Sequence, residues 1–167
     1  MKKKILFTAL LICAPVLASA NDAPDASKVR DVLNYYHNGS TVTLVDYKLC
    51  KSIAKEGENK NECAEAIEGS SIEKGSKVYL WMNFLVPGDD TEKANVLVQY
   101  KYKGKTMDTS DLTMPQSIRY RTWRSLPTKK TGDWQVSIEQ EKETGFVNVE
   151  TIAFSVVDAT EGTAAAQ

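Results

Sequence analysis

From Thr41 to Val157 the chain alternates short β-rich runs with turn signals, and no interval after residue 77 is long enough for a crossover helix. Parallel strands need a connection of a dozen or more residues, usually helical, so this spacing argues against a parallel α/β sheet. TVTLVDYKLC (41–50) is β-branched and aromatic, with Val45, Tyr47 and Leu49 alternating. KVYLWMNFLV (77–86) is apolar on both faces, which predicts a strand covered on each side, and PGDD (87–90) turns the chain. In ANVLVQYKY (94–102), Val96, Val98, Tyr100 and Tyr102 share one face, with Gln99 and Lys101 on the other. Lys103-Gly104-Lys105 makes a tight hairpin into KTMDTSDLTM. SIRYRTWRSL (117–126) lies between Pro115 and Pro127. TKKTGD then leads into WQVSIEQ (134–140), with Trp134, Val136 and Ile138 on one face, and Gly145 introduces FVNVETIAFSVV (146–157). Seven or so strands predict a mainly β fold, an antiparallel Ig-like β-sandwich with one short N-terminal helix.

The helix is read from SKVRDVLNYYHNG, which sets Val29, Val32, Leu33 and Tyr36 on one stripe. Ser27 or Asp25 can accept from the first free N–H groups, and Gly39 can end the helix. Its stripe is expected to pack on the sheet. The domain is then 28–157, with a disordered start at 21–27 and a small-residue tail at 158–167 that cannot bury enough surface to order.

Residues 1–20 read as a secretory signal peptide. Lys2, Lys3 and Lys4 precede an apolar run from Ile5 to Leu17, and Ala18-Ser19-Ala20 supplies the small residues of a cleavage site. The run is short for a bilayer span, which takes roughly 20 residues. Periplasm is the expected location, with full secretion the alternative. Cys13 is preceded by Ile12 rather than a small residue, which argues against a lipid-modified cysteine. Cleavage after Ala20 lowers Lys+Arg from 21 to 18 against 22 Asp+Glu, so the mature net charge is about −4. Neither nucleic acid nor an anionic membrane is an expected partner of such a chain, because both demand a basic excess.

Cleavage leaves two cysteines, Cys50 and Cys63, with polar KSIAKEGENKNE between them. An exported pair is expected to form a disulfide, worth about 3 kcal/mol in the chain-entropy model for a loop of this size. A zinc site is the rival, but two cysteines with no nearby histidine make a poor ligand set.

Catalytic signatures are sparse. His37 is the only histidine, placed at the end of the predicted helix, where dipole stabilisation is its ordinary role. No phosphate loop, nucleophile elbow or histidine metal spacing occurs, and no cofactor or metal is expected. Asp89-Asp90 with Glu92 has the donors for calcium, although a solvated turn is the simpler reading. Asn38-Gly39-Ser40 fits a glycosylation acceptor but serves equally as a turn.

The most distinctive stretch is Arg119-Tyr120-Arg121-Thr122-Trp123-Arg124, followed by Gly132-Asp133-Trp134-Gln135-Val136. In a strand Arg119, Arg121 and Trp123 share a face, where they are the candidate binding surface for a carboxylate, a sugar ring or a partner side chain. The competing reading, which we favour at this level, places Trp123 and Trp134 in the core and leaves the arginines to solvate a strand face.

The KVYLWMNF strand, the Gln-Tyr-Lys-Tyr-Lys-Gly-Lys hairpin, Arg-Thr-Trp-Arg-Ser, Gly132-Asp133-Trp134-Gln135-Val136 and Phe154-Ser155-Val156 carry a resemblance. Over residues 41–157 the chain resembles an uncharacterised bacterial envelope family, domain of unknown function twenty-nine fourteen. The resemblance implies a small β-sandwich and brings no catalytic residues. The leading helix and the Cys50–Cys63 loop lie outside its pattern.

These readings converge on a non-enzymatic periplasmic binding or protein-interaction module, its partner an envelope protein or glycan. Two alternatives stand beside it. One is an envelope assembly or chaperone-like factor that captures strands at a sheet edge. The other is a hydrolase of glycan or peptide, which requires two carboxylates roughly 5–9.5 Å apart in a cleft.

Overall fold

In a computed structural model that describes residues 25, 27–29, 31–32, 41–88 and 93–159, the predicted strands pair into two sheets. In chain order the strands are β1 (Thr43–Ile53), β2 (Cys63–Ala66), β3 (Ser71–Glu73), β4 (Tyr79–Val86), β5 (Lys93–Tyr102), β6 (Lys105–Pro115), β7 (Ser117–Ser125), β8 (Gly132–Lys142) and β9 (Gly145–Val157). The first sheet runs β2-β1-β4-β7 and the second β3-β9-β8-β5-β6. The mainly β, two-sheet architecture expected from the alternation is therefore the one the chain forms.

Every long strand pairs antiparallel, with one departure from the expected pattern. β3 runs parallel to β9, Ser71 opposite Ser155 and Glu73 opposite Val157. The chain reaches that edge from β2 in the other sheet, and five strands, β4 to β8, separate β3 from its parallel partner β9, so the pair needs no crossover helix.

The inward sets follow the period of two. Leu80, Met82 and Phe84 of β4 enter one buried cluster with Val96, Val98 and Tyr100 of β5, Leu112 and Met114 of β6, Trp134, Val136 and Ile138 of β8, and Ile152, Phe154 and Val156 of β9. Side chains of this size contribute about 1.5–3 kcal/mol each when removed from water. Trp134 stacks on Phe154 at 6.2 Å and lies 5.0 Å from Tyr102, as its core reading requires. A bulge between Leu44 and Asp46 breaks the alternation in β1, and Val45 is 58 % exposed instead of sharing a buried face with Leu49.

Turn chemistry sets the hairpins. Lys103 and Gly104 both have positive φ, 49° and 78°, and close the two-residue β5–β6 loop. Pro115 ends β6, and Gln116 alone separates it from β7, so the chain passes from the edge of the second sheet to the edge of the first. Arg124 ties those edges together, donating from Nε to Ser110 Oγ at 2.9 Å and from Nη1 to the Trp123 carbonyl at 2.9 Å. Near the chain start, the buried Gln140 side chain accepts from the Val42 N–H at 2.8 Å, pinning the entry to β1 against the second sheet.

Ser27–Val29 and Asp31–Val32 are helical, and Asp25 caps them by accepting from the Ser27 N–H at 2.9 Å. That hydrogen bond lowers the Asp25 pKa. Val32 is exposed rather than packed on a sheet, which corrects the expected docking at that position. Leu33, Tyr36, His37 and Gly39 lie outside the described residues, as do the signal segment, Asn38–Ser40, Asp89, Asp90, Glu92 and the tail from Thr160. Among the described residues, no helix is long and apolar enough to cross a membrane.

Candidate functional site

The disulfide loop determines what the outer face of the first sheet looks like. Cys50 is completely buried and bonds Cys63 with a Cα–Cα distance of 5.8 Å, joining the end of β1 to the start of β2. Between them, residues 54–62 fold back across the sheet, closed by main-chain bonds from Ala54 N–H to Glu62 O at 2.9 Å and from Asn61 N–H to Ala54 O at 2.8 Å. Asn61 occupies the left-handed region at φ 66°, aiming its carbonyl at Trp81. The Trp81 indole N–H donates to that carbonyl at 2.7 Å, and Trp81 is only 2 % exposed although it points away from the core. This explains why 77–86 is apolar on both faces: one face meets the core and the other lies beneath the loop.

β7 lies beside β4 in a register that sets Trp123 opposite Trp81 and Arg121 opposite Asn83. Arg119, Arg121 and Trp123 therefore share the outer face, as strand periodicity requires. The core reading of Trp123 is corrected: its indole is 38 % exposed, because β7 turns Tyr120, Thr122 and Arg124 the other way. The three candidate residues divide into two groups. Arg119 and Arg121 both donate to Glu62 Oε1, Arg119 at 3.0 Å, and so fasten the loop onto β7. Trp123 instead meets the edge of Tyr79, with ring centroids 5.2 Å apart and an interplanar angle of 77°.

A groove opens beside these two rings for a topological reason. β1 pairs with β4 only as far as Cys50 opposite Tyr79, yet it continues along β2 to Ile53 opposite Cys63. The overhanging Lys51–Ile53 segment has β2 on one side and, among the described residues, no strand on the other. The resulting groove of about 400 Å³ has Tyr79 and Trp123 as its aromatic surface and Ser52, Lys55, Asn61 and Lys77 among its walls. Lys77 Nζ lies 5.6 Å from the Tyr79 ring centre, within cation–π reach. The neighbouring Tyr79 side chain raises the Lys77 pKa. Lys51 also lines the groove and pairs with Glu65 at 3.0 Å.

Sequence reasoning singled out Trp123 and both arginines as candidates and passed over Glu62, Lys77 and Tyr79, which the structure sets beside them. Glu62 sits in a polar run with no strand period, and its landing place is fixed by the neighbouring Cys63. That adjacency was the available signal.

Fold and face together define a two-sheet β domain with a loop-covered outer surface. Residues 93–156 match the family described as a protein of unknown function, DUF2914, a segment covering β5 through nearly all of β9. This places the resemblance seen over 41–157 on the second half of the domain. Among solved structures, an immunoglobulin-like protein from Pseudomonas aeruginosa is similar at 11 % identity and a TM-score of 0.40, covering 71 % of this chain and 98 % of its own. A CARDB domain from Pyrococcus furiosus, solved in complex with di-metal ions, is similar at 12 % identity and a TM-score of 0.39, covering 71 % and 94 %. No curated protein matches the chain. Among the described residues, no three His, Cys, Asp or Glu side chains are grouped to hold a metal ion.

Proposed function

We propose that this protein is an exported, non-enzymatic binding module that engages an envelope partner through the outer face of its first sheet. The observation that carries this reading is the half-exposed Trp123 indole, held edge-on by Tyr79 at the mouth of the groove. An exposed tryptophan held by a neighbouring ring gives large contact area at little conformational cost, which suits it to anchoring a partner. Arg119 and Arg121 lie on the same face but are engaged by Glu62 in holding the loop, so the contact region is Trp123 and Tyr79 rather than the arginines. The N-terminal segment motivates export, as its basic start and Ala18-Ser19-Ala20 site indicate.

The test is crosslinking in intact host cells, followed by recovery of the protein with whatever it holds. The reading expects a discrete partner that Trp123→Ala loses and Arg119→Lys retains. Recovery of the same partner by folded Trp123→Ala removes the groove from consideration. A second reading, strand capture by an assembly factor, is favoured by β7, which is an edge strand of the first sheet among the described residues. It expects partner loss when Ile118, 53 % exposed on that edge strand, is replaced by proline, with Trp123→Ala behaving as wild type.

A further inference from the structure

We infer that the groove takes an acidic sugar, a pyranose bearing a carboxylate, with its ring against Trp123 and its charge among the lysines. The inference rests on the binding reading above and names the ligand class for the same face. Three features of the groove define that chemistry. Its aromatic surface consists of Tyr79 and Trp123, whose edge-to-face packing leaves a rigid, ring-sized apolar surface. Its rim is cationic: Lys51, Lys55 and Lys77 line it, and no Asp or Glu does. Lys55 and Lys77 have no carboxylate partner among the described residues, whereas the mature chain as a whole is acidic. A cationic recess on an acidic molecule draws an anion to that place and leaves the remaining surface repulsive to it.

The wall adds polar groups suited to hydroxyls. Ser52 and Asn61 line it, and the overhanging Lys51–Ile53 backbone has no β4 partner. The groove is partly open to solvent, so a ring lying against its aromatic surface fits it better than a side chain that needs full enclosure. Aromatic peptides satisfy the aromatic surface but not the lysine rim, and phosphates satisfy the rim but leave the indole unused.

Trp123 is the only substantially exposed tryptophan, as Trp81 and Trp134 are 2 % and 5 % exposed, so indole fluorescence reports on this groove. Purified protein is titrated with a linear trigalacturonate and with its methyl ester, which retains the rings and removes the charge. The expected result is saturable fluorescence change with the acid and at least tenfold weaker binding of the ester. A Lys55→Gln/Lys77→Gln variant is expected to weaken the acid at least tenfold, and Trp123→Ala to abolish heat release in calorimetry. Trp123→Phe, which keeps an aromatic ring, is expected to retain most of the affinity and controls for folding. Equal binding of acid and ester, or unchanged calorimetric binding by folded Trp123→Ala, overturns the inference. So does tighter binding of an acidic aromatic peptide such as Glu-Trp-Glu. If trigalacturonate fails while cellular capture still depends on Trp123, the ligand class falls and the binding reading stands. If both fail, both are rejected.

Discussion

Trp81 donates its indole N–H to the main-chain carbonyl of Asn61 across 2.7 Å, joining a residue of the sheet to one of the disulfide loop. The bond satisfies a buried donor and a carbonyl that the left-handed Asn61 backbone presents to it. Trp81→Phe keeps an aromatic ring but leaves that carbonyl without its donor. We expect a loss of about 1–2 kcal/mol in urea unfolding, with faster tryptic cleavage at Lys55 and Lys60. Unchanged cleavage would mean that the disulfide and Glu62 hold the loop without Trp81.

The Cys50–Cys63 bond closes a loop that is otherwise polar. Replacing both cysteines by alanine is expected to cost about 3 kcal/mol, through greater freedom of the unfolded chain. The same variant should expose Trp81, read as stronger acrylamide quenching of indole fluorescence in a Trp123→Phe background that removes the exposed indole. A folded double variant with wild-type quenching would show that the loop remains seated without its covalent tie.

Burial pushes the Tyr100 phenol up to about 12, outweighing the Arg124 charge that pulls it down, while Asp108 adds a smaller upward push. The unfolded chain releases this proton near pH 10 and the folded chain only near 12. Unfolding between those values therefore releases a proton, and stability must fall as pH rises through that window. The contribution lost is about 2–3 kcal/mol. Tyr100→Phe should unfold with a shallower pH dependence than wild type between pH 10 and 12. Identical slopes would contradict the buried phenol.

Gly132 and Gly145 share nearly the same backbone, φ 122° and 120°, but differ in surroundings. A Cβ at Gly132 would meet the Tyr102 ring at 3.3 Å, whereas none of the described neighbours lies within 4 Å of one at Gly145. Tyr102 is also anchored there, its hydroxyl donating to the Thr131 carbonyl at 3.0 Å. Both alanine variants incur backbone strain of about 1–3 kcal/mol. Gly132→Ala should be the less stable of the two, by thermal melting, because the ring must also move. Equal melting temperatures would mean that the ring yields freely.

Much of the sheet structure was legible because its signal is local. Val96, Val98 and Tyr100, or Trp134, Val136 and Ile138, announce a buried face within a few residues, and Lys103-Gly104 announces its own hairpin. β2 and β3 were not legible: four and three residues long, they carry too little alternation to register and form where longer strands offer an edge. The orientation of Trp123 was hidden for another reason. Periodicity grouped it with Arg119 and Arg121 but could not say which face is covered, a matter settled by the register of β7 on β4. The role of the arginines was equally nonlocal, since Glu62 lies 57 and 59 positions away in the chain.

The family match covers four adjacent strands of the second sheet but only β7 of the first. Cut free, that stretch would be a half-shell, its greasy concave side bare to water along Val98, Val136 and Ile152. That side needs a lid, which the matched stretch does not itself contain. In this chain the lid is β1 and β4, and the groove beside Trp123 is built where that lid meets β7.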